Sequence, residues 1–481
     1  MTAAFLVLSL VLAAAPVRVA GRVTDATGAP VAAVIHSASA DGPIVARSDA
    51  GGAFAVDVDP LPADGLVVVA PGFAAERVSA ASLGAAGSIS VVLRPAALTE
   101  HVTVTAGRRE LRGADSPAAT TVVTSAELLS SAATSIDDAL RFTPGFTLFR
   151  RSSSRAANPT TQGVTLRGLS ASGASRTLVL ADGVPLNDAF GGWVYWSRIP
   201  QAAIDRIEIV RGATSDLYGA DAVGGVIQVV PLGTQRTRAR MSVEGGSLGT
   251  SRVSAFGSWA GGRADGAQSQ PFGLAIGAER FETDGATIIA KAERGLVDTP
   301  AGVRNSSWLL HASMTEVLPL SLNLRAQGFD EDRTNGTPLQ TNDTNQRQAS
   351  LRANGVAGGG AWQAAGFYST QTYDQSFSAV AAGRATESVT QLQRVPSEST
   401  GGSADWLRAF GRVMLVAGGE GKRVEGTTNE TRFVTGRPQP TTRAGGVQTT
   451  AAGFAQVTVQ AAPAWTVVGG ARVDRIATEN V

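Results

Sequence analysis

From Arg236 to Val481, apolar and polar residues alternate in long runs separated by polar, glycine-rich stretches. In PLSLNLRAQGF, Leu320, Leu322, Leu324, Ala326 and Gly328 share one face, and Ser321, Asn323, Arg325 and Gln327 share the other. RQASLRANG repeats the scheme, with Ala349, Leu351 and Ala353 against Gln348, Ser350 and Arg352. RARMSVEGG, GFAQVTVQ and WTVVGGARVD follow it too. A period of two predicts β-strands. One apolar face and one polar face suit two surroundings. One is an antiparallel sheet with a face in water. The other is a membrane barrel, apolar toward lipid and polar toward its lumen.

The earlier residues carry other patterns. Residues 17–95 hold short β-prone runs: VRVAGRVTDATGAPVAAVIHSAS around a TGAP turn, then SDAGGAFAVDV, GLVVVAPGF and SISVVLRP. Strands at this spacing predict a small β-sandwich. Residues 96–115 form a linker with one extended stretch, in which Val102 and Val104 alternate with Thr103 and Thr105. Such a strand can pair with another protein or fold onto its neighbouring domain. Residues 116–235 predict an α+β domain. SAELLSSAATSIDDALRFTPGF has helical patterning, with Ser125 or Ser135 as caps and Pro144-Gly145 as the stop. GVTLRG, RTLVLADG and DRIEIVRG follow as strands.

The first residues, MTAAFLVLSLVLAAAPVRVA, contain an apolar run from Phe5 to Ala15. Its length is that of a signal peptide, and residues 1–16 are assigned to one, although no Lys or Arg precedes the run. Cleavage fits after Ala13, Ala15 or Ala20, with Pro16 awkward for the second. No later run is long enough to predict a transmembrane helix. Export then leads to the periplasm, the medium or an outer-membrane barrel. An exported chain favours lipid over water for the alternating strands. The low aromatic content, 6%, weighs against a barrel with interfacial girdles, although Trp259, Trp308, Trp362, Trp406 and Trp465 are spread where they could contribute.

Composition removes several chemistries. Cysteine is absent, so disulfides, thiolate catalysis and Cys-bound zinc are excluded together. The three histidines, His36, His101 and His311, lie far apart, and no metal-ligand spacing occurs. No metal or cofactor is called for, and no catalytic residue. The formal charge of +1 gives no electrostatic case for nucleic acid. The stretch DRIEIVRGATSDLYGADAVGGVIQVV has a glycine-rich loop without a nucleophile or a phosphate-loop lysine. Its glycines predict tight turns or close backbone approach.

These motifs, in this order, resemble a TonB-dependent outer-membrane receptor. SIDDALRFTPGF resembles the first helix of the family's plug domain. VTLRGLSASGASRTLVLADGVPLNDAF resembles its Arg-Gly strand and Asp-Gly-Val turn, and IPQAAIDRIEIVRGATSDLYGADAVGGVIQVV its closing signature. EHVTVTA resembles the TonB box, and GRVTDATGAPVAAV with SDAGGAFAV resembles the carboxypeptidase-regulatory-like domain, which implies no peptidase activity. The fold implied is mainly β: a small N-terminal β-sandwich (17–95), a TonB-box linker (96–115), an α+β plug (116–235) and part of an antiparallel transmembrane β-barrel (236–481).

The resemblance also implies a mechanism and a site. A ligand binds from outside, and the inner-membrane protein TonB captures the box by strand pairing at Glu100, His101, Val102, Thr103, Val104, Thr105 and Ala106. Pulling then rearranges the plug. Arg167 and Arg211 of the two Arg-Gly motifs are expected to latch onto wall carboxylates, with Glu420 and Glu425 as candidates. Trp193, Tyr195 and Trp196 lie where the family places ligand-facing apices, either stacking on ligand or burying against the wall. An Fe–siderophore, cobalamin or a glycan all remain open. The expected location is the outer membrane, its lipid a partner, with the sandwich in the periplasm. A surface-binding or TonB-linked sensing protein on the same scaffold is the alternative.

Residues 236–481 supply about a dozen strands at roughly 20 residues each with turns. The family's plugged barrels have about 22. The sequence therefore predicts an open, curved sheet partly wrapping the plug, from the N-terminal part of a longer receptor. ARVDRIATENV also lacks the terminal aromatic that family barrels usually carry.

Overall fold

A computed structural model describes residues 17–93, 103–104, 111–112 and 119–480, apart from 26, 38–42, 59–64, 71–72, 74–75, 80–81, 84–87, 134, 151–152, 155–156, 169–172, 213, 262–270, 319 and 463–464. The signal-peptide assignment lies outside these residues. The chain divides into two compact units, Met1–His101 and Val102–Val481.

The first unit is a two-sheet sandwich. Strands β1 (Val17–Asp25), β4 (Ala53–Val58) and β7 (Ile89–Leu93) form one sheet, in the order β4-β1-β7. Strands β2 (Val34–Ser37), β3 (Ile44–Arg47), β5 (Leu66–Val69) and β6 (Glu76–Val78) form the other, in the order β3-β2-β5-β6. Val19, Val23, Phe54 and Val91 of one sheet meet Ile35, Leu66 and Val68 of the other in a single core. The two polar motifs are its turns. Asp25 Oδ1 accepts from the amides of Thr27 and Ala29 across TGAP, and Asp49 Oδ1 accepts from those of Gly51 and Ala53 across SDAGG. The sequence reading missed two strands, β3 and β6, which carry little alternation.

The second unit begins with a hairpin-like pair, β8 (Thr103–Val104) with β9 (Leu111–Arg112). The α+β domain follows. Its sheet takes the order β10-β15-β16-β13-β14, from β10 (Ala119–Thr124), β13 (Leu178–Ala181), β14 (Val184–Pro185), β15 (Ile204–Arg211) and β16 (Gly225–Pro231). A short pair, β11 (Thr147–Leu148) and β12 (Val164–Thr165), stands apart. Helices α1 (Ser125–Ser130) and α2 (Ile136–Leu140) cover the sheet, and α3 (Ser215–Tyr218) lies in the glycine-rich loop. Thr124, not Ser125, caps α1, in a capping box with Glu127. Ser135 is the N-cap of α2, as expected, though its hydroxyl turns to Asp138 rather than to a backbone amide.

Strand β15 sits between β10 and β16, so both its edges are paired, and packing buries residues of both its faces, Ile207 and Ile209 on one and Glu208 and Val210 on the other. Ile207 and Ile209 join the core with Leu140, Leu166, Val179 and Ile227. Glu208 is also fully buried and is neutralised by Arg206 at 2.8 Å. The loop glycines have the expected cause. Gly225 has φ +123°, and a Cβ there would lie 2.2 Å from the Val210 carbonyl oxygen.

The remaining strands form one antiparallel sheet, the wall. They are β17 (Arg238–Gly246), β18 (Thr250–Gly261), β19 (Phe272–Ala286), β20 (Ala301–Leu318), β21 (Leu320–Thr334), β22 (Thr341–Ala357), β23 (Gly360–Val380), β24 (Glu387–Phe410), β25 (Val413–Val434), β26 (Arg437–Pro438), β27 (Thr442–Ala462) and β28 (Trp465–Asn480). Each pairs with its neighbour, and β26 is a short addition to β25. Among the described residues the sheet is open: β17 pairs only with β18, and β28 only with β27.

The faces are those predicted. Leu274, Ile276, Leu310, Leu324 and Leu351 point outward and are exposed. Inward lie Ser254, Glu279, Arg325, Gln327, Gln348 and Gln371, all buried against the α+β domain. Successive strands join at one rim through short connections such as 358–359 and 411–412, and at the other through longer ones such as 287–300 and 435–441. Aromatics collect at the short-turn rim. Trp259, Phe272, Phe410 and Trp465 are exposed there, and Trp362 faces Trp406 across β23 and β24. Trp308 is the exception, at mid-strand opposite Gly328.

Candidate functional site: the plug–wall boundary

The arginines predicted to latch the α+β domain to the wall do not do so. Arg167 adopts φ +59°, its amide donates to the Gly145 carbonyl at 3.0 Å, and its side chain is exposed. Arg211 donates through Nη1 to the Pro144 carbonyl at 3.2 Å and through Nη2 to Thr121 Oγ1 at 3.1 Å. Both therefore fasten the Pro144-Gly145 turn within the domain. The carboxylates proposed for them are engaged elsewhere. Glu420 takes Arg472 Nη2 at 2.5 Å, and Glu425, on the exposed outer face, takes Arg423 at 3.0 Å. Among the described residues neither Arg167 nor Arg211 takes part in an ion pair, and the side-chain hydrogen bonds of Arg211 go to Pro144 and Thr121.

The ionic link runs the other way round, from a plug carboxylate to wall arginines. Asp182 occupies the β13–β14 turn at φ +51°, a conformation that Asp tolerates and Gly183 continues. Its carboxylate meets Arg325 Nη2 at 2.9 Å and Arg352 Nη1 at 3.2 Å. Arg352 also donates to the Asp182 carbonyl. Burial alone would raise this carboxyl's pKa. The guanidiniums of Arg325 and Arg352 outweigh it and hold the group below the ordinary carboxylate range. Alternation puts Arg325 and Arg352 on the polar wall face, and Asp182 lies in the Asp-Gly-Val turn. Only the inward orientation of the turn, invisible in sequence, joins them.

Further links run around the boundary. At β18 and β19, Arg252 reaches Gln201 Oε1 at 2.6 Å, Ser254 takes the Ala202 amide at 3.1 Å, and Glu279 takes the Gln201 amide at 2.8 Å. At β22 and β23, buried Arg198 donates to Gln348 Oε1 at 3.2 Å and to the Leu186 carbonyl, while Gln371 donates to Asp188. Burial pushes Arg198 down to about 10 and Asp188 up from the usual carboxylate value. At β27 and β28, Gln456 donates to Asp216 at 2.7 Å and Arg472 to the Leu217 carbonyl at 3.0 Å. Thus the wall grips the domain from its first strands to its last.

The three aromatics named as ligand-facing are used for packing. Trp196 lies in the α+β core, 6.2 Å from Phe146 between ring centroids. Tyr195 is buried against Phe329 and hydrogen-bonded to Thr344 at 3.2 Å. Trp193, half-buried, stacks at a tilt on Tyr373 at 5.6 Å. Of the alternatives open in the sequence, burial is the one observed. All three lie toward the long-loop rim, as Thr344 is the fourth residue of β22 from that end.

Of the segment expected to be a TonB box, Thr103 and Val104 are described, paired to Arg112 and Leu111. Glu100, His101, Val102, Thr105 and Ala106 lie outside the described residues. No group of three or more His, Asp or Glu among the described residues is placed to hold a metal ion.

A folded α+β domain clasped by the polar face of a sheet whose other face is apolar defines a plugged, barrel-type wall. Residues 112–226 match the family model of the TonB-dependent Receptor Plug Domain. A 137-residue stretch is 37% identical to the vitamin B12 transporter BtuB of Vibrio vulnificus, covering 28% of this chain and 21% of that protein. Among solved structures, the ferric yersiniabactin uptake receptor FyuA of Yersinia pestis superposes with a TM-score of 0.59 at 17% identity, over 76% of this chain and 60% of that one. The ferripyoverdine receptor of the Pseudomonas aeruginosa outer membrane gives 0.62 at 15%, over 82% and 57%. Residues 112–226 are therefore similar to the TonB-dependent receptor plug domain, and the chain shares its fold with these receptors. It spans about a fifth of the curated relative's length and no more than 60% of these two structures.

Proposed function

We propose that this chain acts as an energised importer in the outer membrane, drawing a scarce small-molecule ligand past its plug when TonB pulls on the segment around Thr103 and Val104. The observation that carries the reading is the seating of the plug. It is held by side-chain hydrogen bonds and ion pairs with small apolar patches between them, at Ala202–Ala203, Leu217 and Tyr195, so it can be withdrawn and reseated. Lipid covers the outer face of the wall. The short-turn rim faces the periplasm and the longer loops face outward, as in outer-membrane barrels. The N-terminal sandwich is then a periplasmic module of the carboxypeptidase-regulatory-like kind. The relatives named above carry vitamin B12 or ferric siderophores, which supports cobalamin or an Fe–siderophore as ligand, with a glycan as the third class.

Strand pairing by TonB would take over the backbone groups of Thr103 and Val104, which here pair with Arg112 and Leu111. Val104→Pro removes a donor and restricts Thr103. It is expected to abolish TonB-dependent uptake while leaving ligand binding to whole cells unchanged. Normal uptake by the variant, or equal uptake by cells lacking TonB, refutes the reading.

A further inference from the structure

At the short-turn rim the outer face of the wall carries positive charge that no carboxylate answers. Nearer the long-loop rim, arginines of that face are matched: Arg304 has Glu282 at 3.5 Å, Arg347 has Asp330 at 3.0 Å, Arg394 has Asp374 at 3.3 Å and Arg423 has Glu425 at 3.0 Å. Arg408, near the short-turn end of β24, and Arg412, in the connection to β25, have no ion-pair partner among the described residues. The sequence supplies none nearby. Across 353–366, 403–418 and 453–462 the only acidic residue is Asp405, which points inward and takes Gln363 at 3.0 Å.

Arg408 is held in place by its surroundings. Strand alternation puts Trp406, Arg408 and Phe410 together on the outer face. The guanidinium lies 4.7 Å from the Phe410 ring centroid and 6.0 Å from that of Trp406. Its Nη1 donates to the Gly358 carbonyl at 2.9 Å, and Trp406 Nε1 donates to the Ala357 carbonyl at 3.0 Å. Glycines fill the turn that they rest on. Gly359 has φ +71°, and a Cβ there would lie 3.3 Å from the Arg408 guanidinium carbon; one at Gly360 would lie 2.7 Å from the Trp406 indole. Arg408 Nε and Nη2 make no hydrogen bond among the described residues, so the side-on edge that matches two phosphate oxygens stays open. Next to it, Leu415 stands opposite Arg408, and Val457 opposite Leu415. A cation flanked by aromatics and bordered by an apolar strip suits the headgroup level of a bilayer.

We infer that this corner of the rim binds a net-anionic phospholipid, its phosphate on Arg408 with Arg412 adding charge, and its acyl chains along Leu415 and Val457. A zwitterionic headgroup fits less well, because its ammonium would meet two cations and no free carboxylate. The inference rests on the outer-membrane reading for the bilayer and is independent of transport. A lipid bound there fixes the rim at headgroup depth, against a pull directed along the wall.

The absence of cysteine allows a site-specific test on the full chain. Leu415→Cys carries a bimane label beside Arg408, and Leu324→Cys carries one on the exposed outer face at mid-wall. The chain is placed in phosphatidylcholine vesicles in which a fixed small fraction of the lipid is brominated, either as phosphatidylglycerol or as phosphatidylcholine. At Leu415→Cys the brominated phosphatidylglycerol should quench at least about threefold more, the order of enrichment that one unpaired Arg near an anionic surface supplies. At Leu324→Cys the two lipids should quench alike. Arg408→Gln on the Leu415→Cys background should remove the difference, and Arg408→Lys should keep part of it, as charge without the fork. Equal quenching by the two lipids at Leu415→Cys overturns the inference, as does a preference that Arg408→Gln leaves intact. Quenching by neither lipid at either label overturns the outer-membrane reading along with it.

Discussion

Asp182→Asn isolates the link between plug and wall. Asparagine keeps the size of the side chain and its tolerance of positive φ, so the turn at φ +51° is preserved and only the charge is removed. The magnitude follows from burial. Breaking a fully buried pair costs about 3–5 kcal/mol, whereas an exposed pair contributes about 0–1 kcal/mol. The Arg325 side chain is 8% exposed and Asp182 31%, so this pair falls between the limits. Arg352, at 29%, counts as nearly exposed and retains its bond to the Asp182 carbonyl. The expected loss is about 2 kcal/mol, most of it from stranding the Arg325 guanidinium. Hydrogen exchange reads this locally: amides of β13 and β14 should exchange about 30-fold faster in the variant, while those of the N-terminal sandwich are unchanged. A double-mutant cycle with Arg325→Leu should show positive coupling, because removing the cation relieves the stranded charge. Unchanged exchange in Asp182→Asn refutes the argument.

The pH dependence has a definite sign. The carboxyl of Asp182 sits below its unfolded value of about 3.9, so its contribution is full above that value and is lost only as pH falls through the lowered one. Arg325 and Arg352, both cationic, face it, with His311 nearby. Protection of the β13–β14 amides in the native chain, taken relative to their intrinsic exchange rate, should therefore fall at acid pH. The same fall should be missing from Asp182→Asn.

Three other substitutions test separate parts of the fold. Gly225→Ala should cost about 3 kcal/mol or more in denaturant unfolding of the plug, since its Cβ meets the Val210 carbonyl at φ +123°; a loss below about 1 kcal/mol means the β15–β16 approach is looser than described. Leu351→Arg, on the outward face, should lower stability in lipid vesicles by about 2–4 kcal/mol if it lies near the bilayer centre, far more than Leu351→Ala; equal effects argue against lipid contact. Arg211→Ala should loosen the Pro144-Gly145 turn, seen as faster exchange at Phe146 and Thr147, with no effect on wall strands; a change confined to β25 would restore a wall partner for it.

Much of this architecture could be read from alternation alone. Leu324 and Leu351 on one face, with Arg325 and Arg352 on the other, are enough to set the inside and outside of the wall. The pattern works because strand geometry is local: successive side chains must point to opposite faces. It fails where the answer depends on tertiary contact. The two arginines of the Arg-Gly motifs looked available, but the Arg211 guanidinium is spent on the Pro144 carbonyl, and the Arg167 side chain is exposed while its backbone amide holds Gly145. The carboxylate that does reach the wall lies in an Asp-Gly turn, a setting in which Asp needs no other purpose. The aromatics of GGWVYWSR misled for a related reason. Their concentration marks a boundary between two packed bodies as readily as a ligand surface, and composition cannot separate the two.

What the boundary contacts imply about motion follows from their uneven chemistry. On the β20–β22 side the plug is held by ions whose separation strands a buried guanidinium. At β18 and β19 it is held by Gln201 and the neighbouring small residues, packed against Phe256 and Leu309. On the β22–β24 side the wall offers amides: Gln348 takes buried Arg198, and Gln371 donates to buried Asp188. Each of these bonds joins one charge to a neutral group, whereas at Asp182 the charge is met by opposite charges. A plug drawn out as proposed should accordingly part on the β22–β24 side first and pivot about the Asp182 turn. Asp182→Asn would then do more than loosen the plug: by removing the pivot it should make the two sides part together.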